Sequence, residues 1–174
     1  MTYNATSTAG RSTPNLEIES NFGHHTTANS IPRANKRFIL TDQTSKYALA
    51  LQNGNLIYVE RAAMSTIIGA CWLWDCVEKN GWLGFKNAVS GGHLGVQDGV
   101  VKAHNRLHEK GSWLYVRPEL TGQGYLLLVV WSSKLFKIGM RGNYKEAKCG
   151  ICPGPYGSLE EAYLKSIAWG FIEQ

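Results

Sequence analysis

Several features that mark membrane, secreted or disulfide-rich proteins are missing from this 174-residue chain. Residues 1–20 contain neither the basic segment nor the apolar core of a signal peptide. The most apolar run, Tyr125 to Trp131, has the length of a strand and falls far short of the roughly 18 residues that cross a membrane. Four cysteines are too few for a disulfide scaffold. We therefore predict a cytoplasmic protein with no membrane partner.

Recognisable catalytic motifs are also missing. The sequence has no G-x-S-x-G elbow, phosphate-binding loop, H-E-x-x-H pair or dinucleotide-binding glycine pattern. Cys149 and Cys152 have the spacing of half a zinc site, and His104 with His108 could complete it, but their order and distance match no standard zinc finger. We predict a loop for Cys149 to Cys152, no metal, no cofactor, and a binding protein rather than an enzyme.

The first 35 residues differ in composition from the rest of the chain. They are rich in Ser, Thr, Asn, Ala and Gly, and their apolar residues follow neither the period of a helix nor that of a strand. The remainder has the length of one domain with a single core. We therefore predict a disordered tail over residues 1–35 and one folded domain over residues 36–174.

An internal repeat organises the folded part. Residues 37–56 align with residues 82–101 without a gap, at an offset of 45, so that Leu49 meets Leu94 and Asn53-Gly54 meets Asp98-Gly99. Each copy alternates apolar and polar residues, breaks at a loop, alternates again, and reaches a dipeptide typical of tight hairpins. The pattern therefore predicts the same order of elements in both stretches: strand, loop, strand, turn and strand.

A third copy is weaker. Residues 125–144 align at an offset of 43 from the second copy, which puts a turn at Arg141-Gly142 and places Lys137 where Leu94 stood; a one-residue slip would place Phe136 there. An insertion falls in residues 145–166, where Ser158 predicts the start of a short helix. The predicted repeats cover about residues 37–79, 80–122 and 123–174.

Each copy ends on a predicted fourth strand with two aromatic residues on one face. The stretches are Trp72-Leu-Trp74, Trp113-Leu-Tyr115 and Trp169-Gly-Phe171. Because three equal units need the same core position three times, we predict that Trp72, Trp113 and Trp169 are buried. Three four-stranded units predict an all-β closed structure with pseudo-threefold symmetry.

At this point the sequence resembles a known family. The three repeats, their W-x-aromatic strands and the stretch NGWLGFKNAVSGGHLG (residues 80–95) are similar to the fascin-like β-trefoils of the actin-crosslinking superfamily, most of all to single-domain fungal members. The resemblance covers about residues 37–174. It implies a β-trefoil fold and a module that binds an acidic protein such as actin. No fascin actin site can be transferred, because fascin uses several trefoils together.

The candidate binding residues come from one aromatic and one basic region. Trp131 aligns with Ala88 and Gln43, so the repeat does not require it. Residues 80–145 hold a clear excess of Lys and Arg. The leading hypothesis is a basic face that binds an acidic protein or another anionic partner; the alternatives are a carbohydrate-binding trefoil and an enzyme for a small metabolite. We predict no nucleic-acid partner. The candidate site residues are Trp131, Lys134, Lys137, Arg141, His104 and Arg106.

Overall fold

The regular secondary structure of the described residues is almost all β-strand. The computed structural model of the protein describes residues 30–105, 107–120, 122–141, 148–152, 164–165 and 168–174. Its strands are β1 (Lys36–Asp42), β2 (Tyr47–Gln52), β3 (Asn55–Glu60), β4 (Ala70–Cys71), β5 (Leu73–Lys79), β6 (Trp82–Asn87), β7 (His93–Gln97), β8 (Val100–Asn105), β9 (Leu114–Pro118), β10 (Tyr125–Trp131), β11 (Lys134–Arg141), β12 (Lys148–Cys152), β13 (Leu164–Lys165) and β14 (Trp169–Glu173). The predicted all-β class is confirmed.

Helical structure within the described ranges is confined to two short 3-10 segments, η1 (Arg61–Thr66) and η2 (Lys110–Ser112). No helix in these ranges is long and apolar enough to cross a membrane. The short helix predicted from Ser158 lies outside the described residues, and so do residues 1–29 of the predicted tail.

Six strands close into a barrel. Strand β1 pairs with both β14 and β5, β5 pairs with β6, β6 with β9, β9 with β10, and β10 with β14, all antiparallel. Each repeat supplies two of these strands, its first and its last. Because the ring of pairings is complete, no barrel strand has an open edge.

Three hairpins complete the structure, one from each repeat. They are formed by β2 with β3, β7 with β8, and β11 with β12, and their second strands contact one another. Asn53 and Gly54 turn the first hairpin with φ of 50° and 79°, and Asp98 and Gly99 turn the second with φ of 52° and 75°. Positive φ at both positions is what a two-residue turn between twisted strands requires, so these predicted turns are confirmed.

The third repeat aligns with the second at an offset of 44, not 43. Leu127 and Val129 point into the core of the barrel as Leu83 and Phe85 do, and Ile138 takes the position of Leu49 and Leu94. The predictions that Lys137 or, after a one-residue slip, Phe136 is equivalent to Leu94 were therefore wrong. The equivalent residue, Ile138, lies one position after Lys137 rather than one before it. Repeated apolar residues in β10 hide its register in the sequence, because every position from Leu126 to Val130 is apolar.

The closing strands also differ in register from the prediction. The indole nitrogen of Trp74 donates a hydrogen bond to the carbonyl of Leu49, and that of Trp169 donates to the carbonyl of Ile138, both at 3.0 Å. Trp74 and Trp169 are thus equivalent and fully buried, and Leu114 fills this position in the second repeat. Trp72 and Trp113 are only partly buried, so the prediction that they belong to the central core with Trp169 was wrong.

Residues 30–35, which fall within the predicted tail, lie against the barrel. The amide of Ser30 donates to the carbonyl of Phe171, and the amide of Asn35 donates to that of Cys76. Pro32 is buried, and Arg33 forms an ion pair with Glu173. Contacts with the folded domain therefore begin six residues before the predicted boundary at Lys36.

Candidate functional site

Trp131 lies at the end of β10, where the second and third repeats meet. Its indole is partly exposed, and its ring centroid is 5.5 Å from that of Phe136 in an edge-on arrangement. The far edge of the indole faces the β7–β8 turn, since a Cβ placed on Gly99 would be 3.8 Å from two of its ring carbons. One side of the ring therefore packs on the core, and the remainder stays open to a ligand.

The other two repeats explain why an aromatic residue can occupy this position. At the offset of 44, Trp131 corresponds to Asn87 and Asp42, both buried, rather than to Ala88 and Gln43. The side chain of Asp42 accepts hydrogen bonds from the amides of Lys46 and Tyr47, and Asn87 does the same for its own loop. Both residues hold open a wider loop between the first two strands of their repeat.

The third repeat replaces that loop by a two-residue turn. Trp131 pairs directly with Lys134, and Ser132 and Ser133 between them have φ of 46° and 61°. A tight turn satisfies its own backbone groups through the strand ladder, so it needs no buried carboxylate or amide. The residue at this position therefore does not have to hold a loop, and a partly exposed Trp occupies it.

A cation from the second repeat reaches the same turn. The ammonium group of Lys110, in η2, donates to the hydroxyl of Ser133 at 3.4 Å. The segment around η2 is fixed by Ser112, whose buried hydroxyl bonds both the amide and the carbonyl of Glu109. It also lies directly on β7, because a Cβ on Gly95 would be 2.4 Å from the carbonyl oxygen of Gly111. Lys110 is therefore presented from a rigid base.

The predicted basic residues are divided between two faces of β11. Paired residues across a hairpin point to the same side, so Lys134 shares the face of Trp131, and Phe136 shares that of Val129. Lys137 pairs with Leu128 and alternates to the opposite face, together with Leu135. Lys134 thus joins the Trp131 site, whereas Lys137 does not.

Among the described residues, the two lysines of this site form no ion pair. All the ion pairs seen in the described ranges involve cations between Arg33 and Lys46, which bind Glu173, Asp75 or Glu60. Lys110 and Lys134 form no ion pair with any described carboxylate. We call Trp131, Ser133, Lys134, Lys110 and the turn residues Asp98 and Gly99 the inter-repeat site.

The remaining residues singled out from the sequence either lie away from the inter-repeat site or have side chains that the structure does not describe. The side chains of His104, Arg106 and Arg141 lie outside the described residues. Cys149 to Cys152 forms part of β12, paired with β11, so the prediction of a loop there was wrong. Within the described ranges no three His, Cys, Asp or Glu side chains come together as metal ligands.

Burial raises the pKa of Cys76 to about 12, which keeps its thiol protonated at neutral pH.

Two ring pairs were not predicted. His93 and His108 are buried and stacked with centroids 5.5 Å apart, and the Nε2 atom of His108 is 3.1 Å from the carbonyl oxygen of Leu83. Trp82 and Trp113 stack in parallel with centroids 5.7 Å apart. Neither pair joins residues of a shared motif. Trp82 and Trp113 come together where β6 pairs with β9, whereas His93 and His108 both lie beside β6, since Lys86 of β6 pairs with His93 and Leu83 of β6 contacts His108.

Known structures share this architecture. A ricin B-like lectin of Macrolepiota procera in complex with lactose matches at a TM-score of 0.58 and 11% identity, covering 83% of this chain and all (100%) of the lectin. The chain has the β-trefoil fold. A Polyporus squamosus lectin bound to a sialylated glycan epitope matches at a TM-score of 0.57 and 10% identity, over 81% of this chain and 50% of the lectin.

A third neighbour is an enzyme. An endo-β-galactosidase of Clostridium perfringens matches at a TM-score of 0.56 and 14% identity, over 80% of this chain and 32% of its own. The chain therefore spans about a third of this enzyme and half of the P. squamosus lectin. At such identities the likeness concerns the fold alone. No protein-family model and no curated protein matches the sequence, and the narrower resemblance to fascin-like trefoils stays a prediction.

Proposed function

We propose that this β-trefoil binds a carbohydrate at the inter-repeat site, without catalysis. The observation that carries the proposal is the partly exposed Trp131 at a position where the two other repeats have buried loop-holding residues. Sugar rings present C–H groups that pack on an indole face, and their hydroxyls need polar partners at its edge. Ser133 and Lys110 supply a hydroxyl and a donor there, and Asp98 offers an acceptor from the turn whose Gly99 faces the ring.

The trefoil neighbours support this proposal without deciding it. Two of them are lectins in complex with glycans. The alternative from the sequence is a fascin-like module that binds actin or another acidic protein in the cytoplasm. It is supported by those described cations of the second and third repeats that form no ion pair. Its contact residues Lys134 and Lys137 lie on opposite faces of β11, which makes one flat basic face there harder to form.

A glycan array followed by calorimetry on the bound glycans tests the proposal. We expect the full chain to bind a defined set of glycans, and Trp131→Ala to weaken that binding about tenfold or more through the loss of ring contact. Tyr115→Ala is the matched control, because Tyr115 is half exposed on β9 and lies outside the inter-repeat site. That variant should bind like the parent.

Co-sedimentation with actin filaments at low and high salt tests the alternative. Contacts between exposed charges weaken with salt, so binding through Lys134, Lys137 and Arg141 should fall steeply and should vanish when all three become Glu. Filament binding of this kind, with no glycan bound on the array, would replace the carbohydrate proposal by the actin one. Retained glycan binding by Trp131→Ala would also contradict the proposed site.

A further inference from the structure

The charges of the inter-repeat site select among carbohydrates. Resting on the proposed function, we propose that the site prefers anionic saccharides, those with a carboxylate or sulfate group, over their neutral counterparts. The indole of Trp131 would pack on the sugar ring, and the ammonium groups of Lys110 and Lys134 would bind the anionic group.

The position of Lys134 follows from the turn. Directly paired residues across an antiparallel hairpin have Cβ atoms about 5 Å apart and point to the same side. Since Trp131 pairs with Lys134 across Ser132 and Ser133, the lysine side chain starts beside the indole, and its ammonium group can reach a ligand stacked on the ring. Its four-carbon stem can lie along the ring while the charge stays in water.

Lys110 approaches the turn from the other repeat. Its contact with the Ser133 hydroxyl places a second ammonium beside the same two-residue turn, on a different element. A cation bound to a neutral hydroxyl keeps its charge available, whereas a cation in an ion pair does not. The cations of the first repeat illustrate the difference, because Arg37 is bound by Asp75 and Lys46 by Glu60.

One acidic residue lies within the site. Asp98 precedes Gly99 in the turn that faces Trp131, and no described cation forms an ion pair with it. Two cations against one carboxylate leave a net positive charge next to an exposed ring. A bound anion would be attracted by the two ammonium groups and repelled by Asp98, so removing either kind of charge should change affinity in opposite directions.

The test compares matched neutral and anionic glycans, such as lactose with sialylated lactose and sulfated lactose, on an array and then by calorimetry at physiological salt. We expect anionic members to bind about tenfold more tightly, the gain that two partly exposed charge contacts provide. The double variant Lys110→Met and Lys134→Met should lose this preference but keep weak binding of neutral glycans. Lys79→Met with Lys86→Met removes the same charge outside the site and should leave the preference intact.

Asp98→Asn provides a test in the opposite direction. Asn suits the positive φ of this turn position as well as Asp does, so the fold should not change. We expect anionic glycans to bind about two- to fivefold more tightly to this variant. A preference for sulfate over carboxylate, or the reverse, would identify the anionic group.

The contrary outcomes are distinct. Equal or tighter binding of neutral glycans by the parent would overturn the inference and leave the carbohydrate function in place. Binding of anionic glycans that survives Trp131→Ala would show simple attraction of anions by lysines, and would overturn the inference. An array with no bound glycan at all would overturn the proposed function and the inference together.

Discussion

Two tryptophans serve the same purpose in two of the three repeats. Trp74 and Trp169 are fully buried, and each donates to a carbonyl of its own second strand at 3.0 Å. The indole thereby ties the hairpin to the barrel while it fills the core. Leu114 fills the same place in the second repeat but cannot donate a hydrogen bond, so the hairpin of β7 and β8 relies on packing alone at this point.

The residue-scale prediction contrasts two tryptophans in aligned sequence motifs. Trp169→Ala should lower the free energy of unfolding by about 3 to 5 kcal/mol, because it leaves a cavity and an unpaired buried carbonyl at Ile138. Trp113→Ala should cost only about 1 to 3 kcal/mol, because Trp113 is partly exposed and loses mainly its stacking on Trp82.

Chemical denaturation of both variants and the parent, monitored by circular dichroism, measures these differences. Trp82→Ala is the natural control, since it removes the other half of the same stack and should cost about as much as Trp113→Ala. An equal loss at Trp113 and Trp169 would show that the predicted equivalence of these residues was correct after all.

At the scale of elements, the connection from β8 to η2 is held on the barrel by a histidine. The ring of His108 covers Gly84 of β6, where a Cβ would lie 2.7 Å from its Nε2 atom. Only glycine at this position lets the ring approach the strand. Its stacking on His93 of β7 then joins the barrel, the hairpin and the segment that carries Lys110.

Lowering the pH should loosen this arrangement. Burial lowers the pKa of His108, the hydrogen bond with Leu83 opposes that effect, and His93 and Lys79 add to it. The folded state therefore binds a proton less readily than the unfolded chain, in which a histidine titrates near 6.5. The contribution of His108 to the free energy of unfolding is therefore fully present above that pH and is lost as the pH falls below it.

Thermal unfolding between pH 7.5 and 5 measures this effect. We expect the midpoint of the parent to fall through this range, and the fall to be smaller in His108→Gln, which keeps a side-chain N–H donor for the Leu83 carbonyl and cannot be protonated. A steeper fall in the variant than in the parent would contradict the assignment of the pH dependence to His108.

At the scale of the whole molecule, the chain before β1 divides into two parts. From the composition of residues 1–29 we predict that this segment does not contribute to the fold, since ordering it would cost about 1 to 2 kcal/mol of backbone entropy per residue. Deleting residues 1–29 should therefore leave the thermal midpoint unchanged within about 2 °C. Deleting residues 1–35 should lower it by several degrees, because the contacts of Ser30, Pro32, Arg33 and Asn35 are lost.

Calorimetry of the two truncated chains beside the parent separates these effects. A large fall after the first deletion would show that the amino-terminal segment contributes to the fold. Equal midpoints for all three chains would show that the contacts of residues 30–35 add nothing, and would restore the predicted boundary at Lys36.

Local patterns in the amino-acid sequence were enough to predict the all-β class, the internal repeat and two of the hairpin turns. Alternation of apolar residues has the period of a strand, and Asn53-Gly54 and Asp98-Gly99 have the positive φ that their dipeptides favour. These are local properties, readable within a few residues. Closure with pseudo-threefold symmetry followed from the repeat, because a ring of three equal units leaves no barrel strand with an unpaired edge, and the β-trefoil fold followed from the family resemblance.

The register of the third repeat and the residues of the inter-repeat site depend instead on contacts between distant parts of the chain. The apolar run of β10 fits two registers equally well in sequence, and the choice between them depends on which residues fill the barrel core. Trp131 could be recognised because the repeat does not require it. Lys110, Asp98 and Gly99 join it from another repeat, and the stacked histidines come from separate elements, so contacts between distant segments determined both.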